Sequence, residues 1–215
     1  ALIAEFGRSL HALAEENGVE LLYSASVGGS LPVLERLRGL DPVHISGVLN
    51  GTSQYVLNAM TRGTRYSEAV DDAQRLGFAE ADPSRDLDGR DALDKLRVIA
   101  LQLGWDRVAI ETPSCDLSVL GRESGSIRQV GTLTAQHATV RLEPSTPDSG
   151  LVGLGDSENL VEIVCADSSI VTLRGRGAGR WPTSVSVLGD LLELSRSQRA
   201  REMLTKEEVV NAIAE

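Results

Sequence analysis

The stretch Gly77-Phe-Ala-Glu-Ala-Asp-Pro-Ser-Arg-Asp-Leu-Asp-Gly-Arg-Asp-Ala-Leu-Asp-Lys95 joins an acidic loop to the start of an apolar helix. Six carboxylates fall within the fifteen residues from Glu80 to Asp94, and Pro83 and Gly89 interrupt them. After Lys95, apolar residues recur at helical spacing until Gly104 ends the pattern. A loop this rich in carboxylates, leading directly into a buried helix, is a candidate site for chemistry.

Asp91 and Lys95 are four residues apart, so a helix would place both side chains on one face, about 6 Å apart at Cβ. A carboxylate at that distance keeps an ammonium charged and oriented, and such a pair can protonate an oxygen that becomes alkoxide during a reaction. Glu80, on the loop before this helix, could bind a substrate ammonium. The alternative is a solvated acidic loop with an ordinary surface salt bridge. The chain has only two lysines, Lys95 and Lys206, and Lys95 precedes an apolar run, which favours the functional interpretation.

Three glycine-containing loops are weaker candidates. The segment 175–183 could bring its backbone close to an anionic ligand, although a structural turn has the same composition. Val27-Gly-Gly-Ser-Leu31 could turn carbonyl groups toward a monovalent cation, or could be an ordinary strand-to-helix turn. Thr52 is predicted to cap the helix that follows Asn50-Gly51, with a ligand-binding turn as the second interpretation.

The order of elements predicts an α+β fold. The patterns indicate a helix over 1–17, a strand over Val19–Ser26, a short helix to Gly39 and a strand over Val43–Leu49. Helices then follow as far as Gly104. Four strands come next, over Val130–Thr134, Ala138–Leu142, Asn159–Cys165 and Ile170–Arg174. An amphipathic helix over Ser184–Leu194 closes the pattern. Since helices and strands form separate runs rather than alternating, the expected architecture is a mixed sheet covered by helices.

Composition excludes several functional classes for this 215-residue chain. Its formal net charge is −10 with no basic block, which argues against nucleic acid or an anionic membrane surface as a partner. No apolar run reaches 18 residues, and no signal peptide is visible. Its two cysteines, Cys115 and Cys165, form no disulfide framework, so we expect a reducing, cytoplasmic location.

Taken together, five motifs resemble successive motifs of the homoserine dehydrogenase family, in the right order. They are Tyr23–Pro32, Gly47–Val56, Gly77–Pro83, Asp86–Lys95 and Gly175–Thr183. The resemblance implies an enzyme that reversibly reduces L-aspartate 4-semialdehyde to L-homoserine with NADPH or NADH, in threonine and methionine biosynthesis.

The resemblance also implies roles for individual residues. Lys95 would donate the proton to the carbonyl oxygen, supported by Asp91. Glu80, Asp86, Asp91 and Thr52 would contribute to substrate binding. The residues expected near the nicotinamide of NADP or NAD are Gly77, Gly177, Ala178 and Gly179.

A sodium site is implied by the same resemblance. Backbone carbonyls of Val27, Gly29 and Leu31 would bind the ion. Ser24 departs from the pattern, because the family usually has a glutamate ligand at this position.

The resemblance further implies a division of the chain. Residues 1–30 would be a remnant of a nucleotide-binding domain, 31–180 a substrate-binding and dimerisation domain, and 181–215 C-terminal helices that pack toward the nucleotide-binding domain. The family's Rossmann motif G-x-G-x-x-G is absent here, so we expect the chain alone to be inactive and to bind cofactor poorly. We also expect a homodimer and an exposed apolar patch at Leu2, Ile3, Phe6, Val187 and Leu191.

Two other functional classes remain open on the sequence. One is a non-catalytic dimerisation or interaction module that keeps only the fold. The other is a relative that acts on a different amino-acid aldehyde, with Ser24 marking an altered site.

Overall fold

Helix α6, Arg90–Gln102, which carries the end of the acidic stretch, packs against strands of a six-stranded sheet. The structure is a computed structural model that describes residues 2–120, 126–146, 150–177, 181 and 183–197. The other helices are α1 (Leu2–Glu16), α2 (Val33–Leu37), α3 (Gly51–Thr61), α4 (Tyr66–Arg75), α5 (Ser84–Leu87) and α7, which spans 183–197. Two 3₁₀ turns lie at Ser24–Ser26 and Leu117–Val119.

The sheet has the strand order β2-β4-β3-β1-β5-β6. Its strands are β1 (Pro42–Val48), β2 (Ala109–Ile110), β3 (Ile127–Leu133), β4 (His137–Pro144), β5 (Glu158–Cys165) and β6 (Ile170–Arg176). The β2–β4 pair is parallel and the other neighbours are antiparallel. The predicted mixed sheet covered by helices, and with it the α+β class, is therefore confirmed.

The main core lies between this sheet and the helices on one of its faces. Leu96 and Ile99 of α6 are fully buried there. Gly131 of β3 makes room for α6, because a Cβ at that position would lie 3.3 Å from a methyl carbon of Leu96. A smaller apolar cluster covers the other face: Val48, Val130, Leu151, Leu154 and Leu160. Both faces of the central strands are buried, which fixes their register.

Two local predictions were wrong. No strand forms over Val19–Ser26. The segment is irregular up to the 3₁₀ turn at Ser24–Ser26, where the backbone N–H of Ser24 donates to the Asp190 carboxylate and not to a neighbouring strand. Thr52 is not the cap of α3. Asn50 is the N-cap residue, and its side-chain oxygen accepts the Ser53 backbone N–H at 2.8 Å.

Four of the five side chains predicted to form an exposed apolar patch are exposed: Leu2, Phe6, Val187 and Leu191. Ile3 is half-buried, because it packs against the main core. Within the described part of the chain, no helix is both long enough and apolar enough to cross a bilayer.

Candidate active site

Lys95 and Asp91 form an ion pair on one face of α6, as the four-residue spacing predicted. The Lys95 ammonium donates to Asp91 Oδ2 at 2.6 Å and to the Leu49 carbonyl oxygen at 2.7 Å. The side chains of Lys95 and Asp91 are 17% and 32% exposed. Leu49 follows β1 directly, so the end of the central strand and the second turn of α6 together hold the ammonium.

Asn50 joins this pair to Asp86; the sequence placed it in a turn whose second interpretation was ligand binding, but did not single it out as a site residue. Its side-chain nitrogen donates to Asp86 Oδ1 and to Asp91 Oδ2, both at 2.7 Å. Its position directly after a buried strand and before a helix start was the available signal. The structure thus brings Asp86, Asp91 and Lys95 together around one buried amide.

The two aspartates respond to this environment in opposite ways. Burial raises the pKa of Asp86 above its ordinary value, and the hydrogen bond from Asn50 opposes that effect only partly. Burial would also raise the pKa of Asp91, but the adjacent Lys95 ammonium and the hydrogen bonds from Lys95 and Asn50 outweigh it, so the pKa of Asp91 is lowered. The site therefore favours a charged Asp91 beside a positively charged lysine.

These groups line a cavity of about 420 Å³. Thr52, Gly77, Glu80 and Gly177 line the same cavity, so the structure places them beside Lys95. The remaining lining residues are Asn50, Gly51, Phe78, Ala79, Asp82, Arg85, Asp86 and Asp91. The predicted catalytic, substrate-binding and cofactor-binding positions that the structure describes thus share one cavity; Ala178 and Gly179 lie outside the described residues.

The cavity has an excess of negative charge. Four carboxylates line it (Glu80, Asp82, Asp86 and Asp91), against the cations Arg85 and Lys95. Arg85 forms an ion pair with Asp94 at 2.7 Å, which directs part of its charge away from the cavity. Thr52 donates its hydroxyl to the Phe78 carbonyl at 2.7 Å, so that side chain ties α3 to the loop that carries Glu80. Such a cavity suits a ligand that carries an ammonium group.

Gly177 is a place where the backbone must come close to another residue. A Cβ there would lie 1.9 Å from the side-chain nitrogen of Asn159, so a larger residue cannot be accommodated unless Asn159 moves. Asn159 is fully buried, and neither polar atom of its amide has a hydrogen-bond partner among the described residues. The glycine at position 177 is therefore required by the buried Asn159 side chain against which it packs.

The predicted sodium position lies between the 24–31 segment and α7. Ser24 supplies no carboxylate, but the Oδ2 atom of Asp190 accepts the Ser24 backbone N–H at 3.1 Å. Asp190 is 9% exposed, and its Oδ1 atom has no hydrogen-bond partner within the described ranges. The hydroxyl of Ser186 donates to the Gly29 carbonyl. The Oδ1 atom of Asp190 is thus a buried carboxylate oxygen whose charge a bound cation would balance.

Comparisons with known proteins assign the chain to a family. A sequence model described as homoserine dehydrogenase matches residues 32–192. An NAD(+)-dependent homoserine dehydrogenase of Pseudomonas canavaninivorans is 32% identical over 213 residues, which cover 91% of this chain and 60% of that protein. The homoserine dehydrogenase of Bacillus subtilis is 32% identical over 219 residues, with 92% of this chain and 50% of the relative covered.

Solved structures agree with this assignment. A homoserine dehydrogenase from Thiobacillus denitrificans superimposes with a TM-score of 0.80 at 28% identity, covering 93% of this chain and 50% of that one. A hyperthermophilic archaeal homoserine dehydrogenase in complex with NADPH gives a TM-score of 0.81 at 26% identity, covering 91% and 61%. The chain therefore spans about half to three-fifths of these relatives, in their C-terminal part. On the matched motifs and the shared fold, this chain belongs to the homoserine dehydrogenase family.

Proposed function

We propose that this chain forms the substrate-binding and acid–base part of an enzyme that interconverts L-homoserine and L-aspartate 4-semialdehyde with NAD(P)(H). The observation that carries the proposal is the Lys95 ammonium, held by Asp91 and the Leu49 carbonyl at the wall of an acidic cavity. Family membership supports it, and so does the complex that the hyperthermophilic archaeal relative forms with NADPH.

Lys95 has a proton to give in this geometry. A lysine ammonium has three N–H donors. Two of them are used, by Asp91 Oδ2 and the Leu49 oxygen, and the third remains for a ligand in the cavity. In the reducing direction that N–H donates to the aldehyde oxygen, which receives the proton as the carbonyl carbon gains a hydride. In the reverse direction the neutral amine takes the hydroxyl proton of homoserine.

The carboxylates orient the substrate. An amino-acid aldehyde carries an ammonium group, which the cavity-lining carboxylates of Glu80 and Asp91 would attract. Asp86 supports Asp91 through the shared Asn50 amide. Thr52 contributes its hydroxyl oxygen, whose proton is already donated to Phe78.

NAD(P)H would supply the hydride. Gly77 and Gly177, which line the cavity, are the described residues that would lie against its nicotinamide. Ala178 and Gly179, which lie outside the described residues, are the other two residues of the proposed cofactor contact. Backbone carbonyls of Val27, Gly29 and Leu31, together with the Asp190 carboxylate, would bind sodium.

We extend the proposal to the organisation of the protein. Residues 1–30 and 181–215 would pack against a nucleotide-binding domain, and 31–180 would bind substrate and form a homodimer through the sheet. The longer relatives support this division, since this chain matches only their C-terminal part.

The test is homoserine oxidation with NAD⁺ and with NADP⁺. It is measured on this chain alone and on a fusion to the N-terminal segment of the Pseudomonas canavaninivorans relative that the match leaves out. We expect turnover from the fusion only. Lys95→Ala should reduce its rate by about 10²-fold or more, as expected for loss of a general acid or base.

Lys206→Ala serves as the control, because Lys206 is the only other lysine of the chain. Its effect on the rate should be far smaller than that of Lys95→Ala. A folded fusion that binds cofactor but does not oxidise homoserine would contradict the proposal. Turnover of another amino-acid alcohol would then indicate an altered substrate, and no turnover at all would indicate an interaction module.

A further inference from the structure

Asn50 caps α3, and its side chain also makes two hydrogen bonds that a helix cap does not require. It is 3% exposed, and both the oxygen and the nitrogen of its side chain are hydrogen-bonded. Its oxygen accepts the Ser53 backbone N–H, while its nitrogen donates to Asp86 and Asp91. A flipped amide would set its oxygen against two carboxylates, so the surrounding groups fix the orientation.

The shared acceptor is Asp91 Oδ2, which receives both the Asn50 N–H and the Lys95 ammonium. Two elements thus hold the Oδ2 atom of Asp91: α6 through Lys95, and the end of β1 through Asn50. Because Lys95 also donates to Leu49, which precedes Asn50, the lysine and the carboxylate are both anchored to consecutive residues of one strand end. Movement of either residue would disturb both contacts.

We propose that Asn50 is the positioning residue of the acid–base site: its amide holds Asp86 and Asp91 in fixed geometry and keeps Asp91 as the charged partner of Lys95. This inference rests on the proposed function for its catalytic consequence but not for its electrostatic one. Asn50 touches no reacting atom. It acts through Asp91, whose negative charge in turn orients the proton-donating ammonium.

The charged surroundings make this amide consequential. Glu80 and Asp82 from the loop, Arg85 and Asp86 from α5, and Asp91 and Lys95 from α6 line the same cavity. In such a group of carboxylates, two N–H donors favour the charged form of both acceptors. Their loss leaves Asp86 and Asp91 to repel each other with less compensation.

The substitutions Asn50→Ser and Asn50→Asp test the proposal without loss of the helix cap. Serine and aspartate both accept a backbone N–H at an N-cap position, but neither donates two N–H groups to the aspartates. We expect carboxyl ¹³C NMR titration of this chain to show the Asp86 and Asp91 titrations moving to higher pH in Asn50→Ser. The move should be larger in Asn50→Asp, which adds a third carboxylate.

Asn58→Ser is the matched control. Asn58 lies on α3, the helix that Asn50 caps, and is similarly buried, but its side-chain nitrogen donates to Asp156 and to the Leu154 carbonyl, which do not line the cavity. It should leave the titrations of Asp86 and Asp91 in place. Assignment of the two signals would use Asp86→Asn and Asp91→Asn.

In the fusion protein, Asn50→Ser should lower kcat by about 10-fold, since small misplacement of a catalytic group is costly. It should also move the acid limb of kcat/KM to higher pH, which a loss of folded protein would not do. Unchanged titrations in folded Asn50 variants would overturn the proposal. The Asp86 and Asp91 titrations could move in the Asn50 variants while the unsubstituted fusion fails to oxidise homoserine. That result would support the role of Asn50 and contradict only the proposed substrate.

Discussion

At the scale of single residues, two donors hold the carboxylates of the candidate site. The Asn50 amide donates to both Asp86 and Asp91, and the Lys95 ammonium donates to Asp91. Asp86 and Asp91 accept from the same nitrogen of Asn50, yet their pKa values are displaced in opposite directions. The difference arises because only Asp91 receives the Lys95 ammonium directly. Substitutions of the two aspartates should therefore affect stability with opposite sign.

The sign follows from the linkage between protonation and folding. The pKa of Asp91 is lowered on folding, so its contribution to stability is present above the unfolded pKa of about 3.9 and is lost as pH falls through the folded value. The pKa of Asp86 is raised on folding. Its ionisation therefore weakens the fold as pH rises from about 3.9 through the folded value.

We predict that Asp91→Asn lowers the free energy of unfolding at pH 7 by about 1–3 kcal/mol. This is less than for a fully buried pair, because nearly a third of the Asp91 side chain is exposed. Asp86→Asn removes a carboxylate whose ionisation weakens the fold and keeps an acceptor for Asn50, so it should raise the free energy of unfolding by up to about 0.5 kcal/mol. Urea unfolding between pH 3 and pH 7 measures both, and equal losses in the two variants would contradict the assignment.

The sequence showed the Asp91–Lys95 pair but not the amide that links it to Asp86. A four-residue spacing on a helix is local and survives any tertiary arrangement. The contact of Asn50 with Asp91 crosses 41 positions of the chain, so it depends on how β1 ends against α6. Sequence spacing contains no information on that meeting point.

At the scale of secondary-structure elements, periodicity predicted the strands and helices that have a buried face. The apolar run after Lys95 became α6, and the four strands of the second half formed within a few residues of the expected bounds. The failure was Val19–Ser26, an apolar segment without a strand partner. Its Ser24 backbone N–H is satisfied by a side chain 166 positions away, which no local pattern reveals.

That same segment carries the sodium prediction. If a sodium ion is bound by the carbonyls of Val27, Gly29 and Leu31 with Asp190 as the anion, ligand binding to the folded state alone will stabilise it. We predict a melting temperature higher by a few degrees in NaCl than in choline chloride of equal ionic strength. Asp190→Asn should abolish the difference, because it removes the carboxylate that lies against Ser24.

The matched control for this experiment is Asp167→Asn. Asp167 is an exposed aspartate that also accepts a backbone N–H, from Ser169 at 2.9 Å. Its replacement should keep the salt difference. Identical melting of the unsubstituted chain in both salts would show that no sodium site forms here and that Asp190 only holds Ser24.

At the scale of the whole molecule, α7 faces the rest of the fold with one side and solvent with the other. Ser186 and Asp190, four residues apart, bond to Gly29 and Ser24. Val187, Leu188 and Leu191 lie on other positions of the helical wheel and are 47%, 56% and 57% exposed. An apolar helix face of this kind is typical of a surface that another domain covers.

We predict that this face docks the nucleotide-binding part of the enzyme. The chain covers 50% to 60% of the curated relatives it matches, and the resemblance places a dinucleotide-binding domain in the remainder. Burial of two aliphatic side chains is worth about 3 kcal/mol or more. The double variant Val187→Ser with Leu191→Ser should therefore weaken binding of the separately expressed N-terminal segment of the Pseudomonas canavaninivorans relative by about 10²-fold.

Calorimetric titration of that segment into the chain measures the affinity, and binding of a hydrophobic dye to the free chain gives an independent readout. The dye signal should fall in the double variant and on addition of the segment. Val119→Ser is the control, since Val119 is 74% exposed and lies on a 3₁₀ turn that is distant from α7 in the sequence. If the double variant binds the segment as tightly as the control does, the nucleotide-binding part docks elsewhere. The cavity would then have to be closed from another side, because Gly177 at its wall lies only a few residues before α7.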